Sequence, residues 1–235
     1  MEGARTLTLD DAVATAATGD IWLFRGRKLG DVAIRAVTNS PVNHVGMAVA
    51  IDDLPPLLWH AELGRSLPDV WTGAHHRGVQ LHDLRESVLV WGRKYGQQGW
   101  LRQLESPITR EMEDAVLTTI ARLDGTPFPS TARLASRWVR GRVPVRRRGA
   151  HEESPGSDGS AALGDIEPTD ADGPDARLET AYCAEVVAVT YEAMGLLATG
   201  RHLGWYDPGR FWSGDELALL RGASLGGEIA VNLPP

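Results

Sequence analysis

Apolar and polar positions alternate along this chain in blocks of changing period, and the period names the element. Residues 7 to 18, LTLDDAVATAAT, place Leu9, Ala12, Val13 and Ala16 at helical spacing behind an Asp-rich first turn, which predicts a short helix. Gly19 and Asp20 end it, and the compact apolar run IWLF predicts a buried strand. Leu29, Val32, Ala33 and Val37 predict a second helix between Lys28 and Thr38, stopped at Asn39-Ser40-Pro41. The pattern then changes. VGMAVAI and LLWHAEL, separated by an Asp-Asp-Leu-Pro-Pro turn, predict paired antiparallel strands, and Val79-Gln80-Leu81 a third, followed by a helical turn over DLRESV. VLVWGRKY and GWLRQLE are expected to add further β structure, giving a sheet of five or six strands. Over 109 to 123, TREMEDAVLTTIARL aligns Met112, Ala115, Val116, Ile120 and Leu123 on one face, the clearest amphipathic helix in the chain.

The stretch from 149 to 176 breaks with all of this. Its Gly, Ser, Pro, Asp and Glu residues offer too little apolar surface to offset the entropy of ordering them, so it is expected to be a disordered acidic insertion within one domain spanning 1 to 235. Thr180 to Gly195, TAYCAEVVAVTYEAMG, predicts a last helix with Thr180 as cap and Gly195 as stop.

Composition narrows the function classes. A formal net charge of -7 argues against broad nucleic-acid binding, which needs clustered cations to displace phosphate counterions. The basic knot of Arg140, Arg142 and Arg146 to Arg148 is a local exception beside the acidic tract; it keeps a lipid-surface role as one alternative. No stretch reaches the roughly eighteen apolar residues of a spanning helix, and MEGARTLTLDD has no secretory pattern, so the cytoplasm is the expected location. A single cysteine excludes an internal disulfide and a multi-cysteine zinc site.

That cysteine, Cys183, falls in the first turn of the last helix, where the helix dipole favours a thiolate. It also shares a face with Val186, Val187, Thr190 and Met194, which suits a buried packing residue equally. His44 opens the strand HVGMAVAI and is a candidate base, while His60 and Glu62, two apart on the next strand, project to one face and either can orient an imidazole. The backbone N–H of Cys183 is the candidate oxyanion donor, with the Tyr182 hydroxyl a weaker one. His75, His76 and Glu62 do not make a convincing metal set, because adjacent histidines in a Gly-flanked loop point apart; no metal or cofactor is expected. Eight tryptophans are many for this length, and some can line an acyl groove.

GDIWLFRG (19 to 26), SPVNHVGMAV (40 to 49), LLWHA (57 to 61), GVQLHDL (78 to 84) and AYCAEVV (181 to 187) follow one another in an order that resembles the permuted branch of the NlpC-type papain-like superfamily. Its YiiX/YebB-like members and the lecithin retinol acyltransferase group share that layout. The resemblance implies an α+β, permuted papain-like fold and a thiol hydrolase, peptidase, amidase or acyltransferase, with Cys183 as nucleophile, His44 as base and His60 as orienting residue. YiiX-like relatives commonly carry Glu-Ala where His60-Ala61 stands, while the acyltransferase group uses a histidine; Glu62 is the competing orienting residue. Ala184 stands where many relatives have Ser. Peptide, isopeptide and lipid-containing amides or esters are all implied substrates. The alternative class is a binding module that keeps the fold without turnover.

Overall fold

A computed structural model of the chain describes residues 5–26, 40–51, 54–62, 66–127, 183–213 and 217–234. Its core is one seven-stranded sheet: β1 (Thr6–Thr8), β2 (Ile21–Arg25), β3 (His44–Val49), β4 (Leu57–Glu62), β5 (Gly78–Asp83), β6 (Gln98–Arg102) and β7 (Ile229–Asn232), in spatial order β1-β7-β6-β2-β3-β4-β5. All neighbours run antiparallel except β1 and β7, which pair parallel. Among the described residues there are four α-helices: α1 (Leu9–Ala14), α2 (Leu84–Tyr95), α3 (Arg110–Leu123) and α4 (Cys183–Ala193). The fold class is α+β.

Helices cover both faces of the sheet, and the pleat sorts the side chains between them. Ile21, Leu23, Val45, Met47, Val49, Trp59, Val79 and Leu81 share a core with α3 and α4. Trp22, Phe24, Ala48 and Leu58, from the alternate positions, pack with α1 and α2. Burial on both faces explains why β2 reads as the unbroken run IWLF.

Three expectations change. Helix α1 starts only at Leu9, because Thr8 caps it by accepting from the Asp11 amide, while Thr6 to Thr8 are a strand. VLVWGRKY is helix rather than β structure: Asp83 caps α2 by accepting from the Glu86 amide, Leu84, Val88 and Trp91 form its buried face, and Gly96 closes it in the left-handed region. The sheet has seven strands, because β1 and β7 join it. The helix expected between 28 and 38, the insertion at 149 to 176 and the basic knot lie outside the described residues.

Long-range polar links seat α4 against the sheet. Trp59 Nε1 donates to Thr190 Oγ1 at 3.0 Å, and the Tyr191 hydroxyl donates to the Gly19 carbonyl. Asp20 holds the turn before β2 by accepting from the amides of Ala17 and Leu104, each at 2.9 Å. At the far edge, residues 125 and 126 continue the pairing of β5: the Val79 amide donates to the Thr126 carbonyl and the Gly125 amide to the Val79 carbonyl. No helix among the described residues is long and apolar enough to cross a membrane.

Candidate functional site

Strands β3, β4 and β5 each place a histidine on the sheet face covered by α2. His44 Nε2 lies 3.1 Å from His60 Nδ1, and His60 Nε2 lies 3.1 Å from His82 Nδ1. Register explains the row: Leu58 pairs with His82 and His60 with Gln80, so His60 and His82 are diagonal neighbours on adjacent strands. Gly46 leaves the space for it, since a Cβ there would stand 3.2 Å from the His60 Cβ and 2.7 Å from Leu58 Cδ1. Trp91 of α2 roofs the row edge-on, its ring centroid 5.2 Å from that of His44 and 5.0 Å from that of His60.

Each bridging imidazole donates from one nitrogen and accepts at the other, so donation runs one way along the row. When it runs from His44 toward His82, His44 carries its proton on Nε2 and a lone pair on Nδ1. When it runs the other way, Nδ1 carries the proton. All three rings are neutral over the ordinary pH range: burial is the main cause and pushes His44 down to about 3, His82 to about 4 and His60 well below the usual imidazole value. His44 keeps part of its surface at the mouth of the row, whereas His60 and His82 are fully buried.

Behind the row stands Glu62. Its Oε2 lies 4.0 Å from His82 Nδ1 and accepts from Ser66 Oγ at 3.0 Å, and Ser66 Oγ in turn accepts from Trp91 Nε1 at 2.9 Å. Burial raises the Glu62 carboxyl, and the Ser66 hydrogen bonds partly counter it. Glu62 thus neighbours His82, while His60 is the residue at hydrogen-bond distance from His44. Next to them, the side-chain amide of Gln80 is buried with neither atom hydrogen-bonded, and His82 Nε2 likewise completes no hydrogen bond, although the Leu67 carbonyl acts on the ring.

Cys183 approaches from the opposite side, with the α3 and α4 core. Its position relative to the sheet follows from the register of β3. The Ala48 amide donates to the Asp20 carbonyl beside β2, so the amides of Val45, Met47 and Val49 point the other way, toward β4. Pairing with β4 begins only at Met47, opposite Trp59; Val45, whose partner would be Ala61, is left over. The two strands part there in a fork, and the Val45 amide acts on the Cys183 sulfur together with the amides of Ala184 and of Cys183 itself. Three N–H groups favour a thiolate, but burial outweighs them and pushes the thiol up to about 12. At 1 % exposure the sulfur is closed off, and no hydrogen bond joins it to the His44 ring among the described residues.

Of the residues singled out in the sequence, His44 and His60 therefore meet, and Cys183 lies at the backbone of the residue following His44. His82 was missed. Its signal was present in GVQLHD, where Gln80 and His82 take alternate positions of a strand, as His60 and Glu62 do in LLWHAE. His75 is exposed and His76 Nε2 donates to the Val79 carbonyl at 3.1 Å; the ligand atoms that converge are instead those of His60, Glu62 and His82, all within 4.8 Å of one another.

No family model and no curated protein sequence matches the chain. Among solved structures it is similar to the metalloprotein yiiX from Escherichia coli O157:H7, at TM-score 0.45 and 19% identity, over 77% of this chain and 67% of that one.

Proposed function

We propose that the chain is a cysteine-dependent hydrolase or acyltransferase acting on an amide or ester bond, on a permuted papain-like fold. The observation that carries this reading is the fork: the Cys183 sulfur sits by the Val45 amide where β3 and β4 separate, and His44 and His60 line those same strand ends. The His44 ring lies on the α2 face and the sulfur on the α3 and α4 face, so on this reading a substrate widens the fork and the ring swings through the opened strand ends to the thiol. His44 then takes the thiol proton on Nδ1, with His60 accepting from its Nε2 and holding that tautomer. The sulfur attacks the carbonyl carbon, the Cys183 amide stabilises the oxyanion, and the leaving amine or alcohol departs with the proton from His44. Water, or an acceptor amine or alcohol, resolves the thioester and regenerates the thiol.

The experiment is acyl transfer from p-nitrophenyl esters of increasing chain length, followed by intact-mass spectrometry. Expected is one acyl group on Cys183, absent in Cys183→Ala, with turnover lower by roughly 100-fold or more in His44→Ala. Ester cleavage that survives Cys183→Ala unchanged would refute the proposal. A second reading, a binding module without turnover, is favoured by the high thiol value and the closed sulfur; absence of acylation with every ester would select it.

A further inference from the structure

We propose that His60, Glu62 and His82 form a three-donor site for a divalent cation of the zinc class, and that His44 is its outer partner. A tetrahedral ion with bonds of about 2.0 to 2.1 Å sets its donors roughly 3.3 Å apart. His60 Nε2 and His82 Nδ1 stand at 3.1 Å, Glu62 Oε2 is 4.0 Å from His82 Nδ1, and all three donor atoms lie within 4.8 Å of one another, so a swing of the Glu62 carboxylate by up to about 1.5 Å closes the triangle. Two imidazoles and a carboxylate are the donor set of an open zinc site, with a fourth position for water. The frame is stiff, because all three residues come from two strands paired from Leu57 to Glu62.

One observation independent of the triangle points to a guest. Gln80, directly opposite His60 and fully buried, has neither its amide nitrogen nor its oxygen hydrogen-bonded. Buried polar groups are costly to leave in that condition, and a cation with its bound water supplies polar contacts where now there are none. Glu62, at 13 % side-chain exposure, gives the ion a way in.

Binding requires lone pairs on both His60 Nε2 and His82 Nδ1, yet where the two rings hydrogen-bond each other one of these nitrogens carries the shared proton. The balance closes without losing a proton. In the loaded form the His60 proton resides on Nδ1 and is donated to His44 Nε2, His44 carries its own proton on Nδ1, and His82 carries its proton on Nε2. The ion therefore fixes the direction of the row, as outer partners of ligating histidines do. Where the thiol chemistry proposed above also holds, and this clause rests on it, the loaded form lacks the Nδ1 lone pair that accepts the Cys183 proton.

The test uses the full chain carrying Cys183→Ser, which removes sulfur as a ligand and separates this proposal from the hydrolase reading. Chelator-stripped protein is titrated with Zn2+ by calorimetry and with Co2+ by visible absorption, and nitrogen-15 histidine spectra are recorded before and after. Expected are one equivalent per chain, a tetrahedral Co2+ spectrum without a sulfur band, a rise in Tm, and His44 moving to the Nδ1–H form. Glu62→Gln and His82→Gln should each weaken binding beyond the roughly 10- to 100-fold that losing an outer partner costs. His75→Ala with His76→Ala should leave it unchanged. Circular dichroism of the stripped variants establishes that they fold; the spectrum and tautomer of the Cys183→Ser chain decide the matter if they do not. Absence of stoichiometric binding, binding lost with His75 and His76, or an octahedral ion with the His44 tautomer unmoved would each overturn the proposal.

Discussion

Alkylation of Cys183 measures how far the resting sulfur is from a working nucleophile. The perturbation is pH. An ordinary cysteine titrates near 9.0, and burial at the fork raises this one to about 12. Only the thiolate reacts, so at any pH below 9 the reactive fraction falls by about a thousand-fold, equivalent to roughly 4 kcal/mol. Initial rates with iodoacetamide, read by intact mass at pH 8 against a cysteine tripeptide, should be lower by about three orders of magnitude and should still be rising at pH 10. His44→Ala should leave this resting rate unchanged, because no hydrogen bond joins the ring to the sulfur. The same shift has a stability counterpart. The folded value lies above the unfolded one, so the stabilisation is complete below pH 9 and is lost as pH rises toward 12, at up to about 1.4 kcal/mol for each unit. A rate within tenfold of the peptide, or a titration midpoint below 9, would refute the picture of a thiol held closed by burial.

Three further outcomes are expected. Gly78→Ala should lower Tm sharply: Gly78 has φ +124, and a Cβ would stand 2.0 Å from the Thr126 carbonyl oxygen, so strain alone costs about 1–3 kcal/mol before the β5 edge shifts; a melt within a degree of the parent would contradict it. Thr190→Val strands the indole N–H of Trp59 inside the core and should cost about 1–3 kcal/mol in urea unfolding, against no measurable loss if that hydrogen bond carries nothing. Burial, then the neighbouring Asp69, raise the Asp124 carboxyl to about 6, so its contribution is greatest below pH 4 and lost as pH rises through 6. Asp124→Asn should accordingly raise Tm more at pH 7.5 than at pH 4.5; an equal effect at both would count against the shift.

The parts of this molecule that depend on side-chain period were readable along the chain. Strands β2, β3 and β4 and helix α3 follow directly from runs such as IWLF and the Met112, Val116, Ile120, Leu123 stripe. Helix α2 was readable only in its first turn, DLRESV, because Val88, Leu89 and Val90 form an apolar block of strand-like composition, and what carries the helix on is the Asp83 cap and the Trp91 contact with the histidine row. Strands β1 and β7, three and four residues long, are too short to show a period and exist through their pairing with each other. At the site, His44 and His60 were legible from strand position. The role of His82 was not, since it depends on the β4–β5 register, and neither was the closure of Cys183, which depends on where β3 and β4 cease to pair.

The pairing of Thr6 with Ala230 and Thr8 with Asn232 ties the two extremities of the described chain into adjacent strands. Nearly the whole described chain separates β1 from β7, so β1 is synthesised long before the strand it hydrogen-bonds to. Through that interval β1 has nothing to lean on, and no other pairing in the sheet has to wait for so much chain. The sheet is therefore sealed at this seam only after β7 has been made.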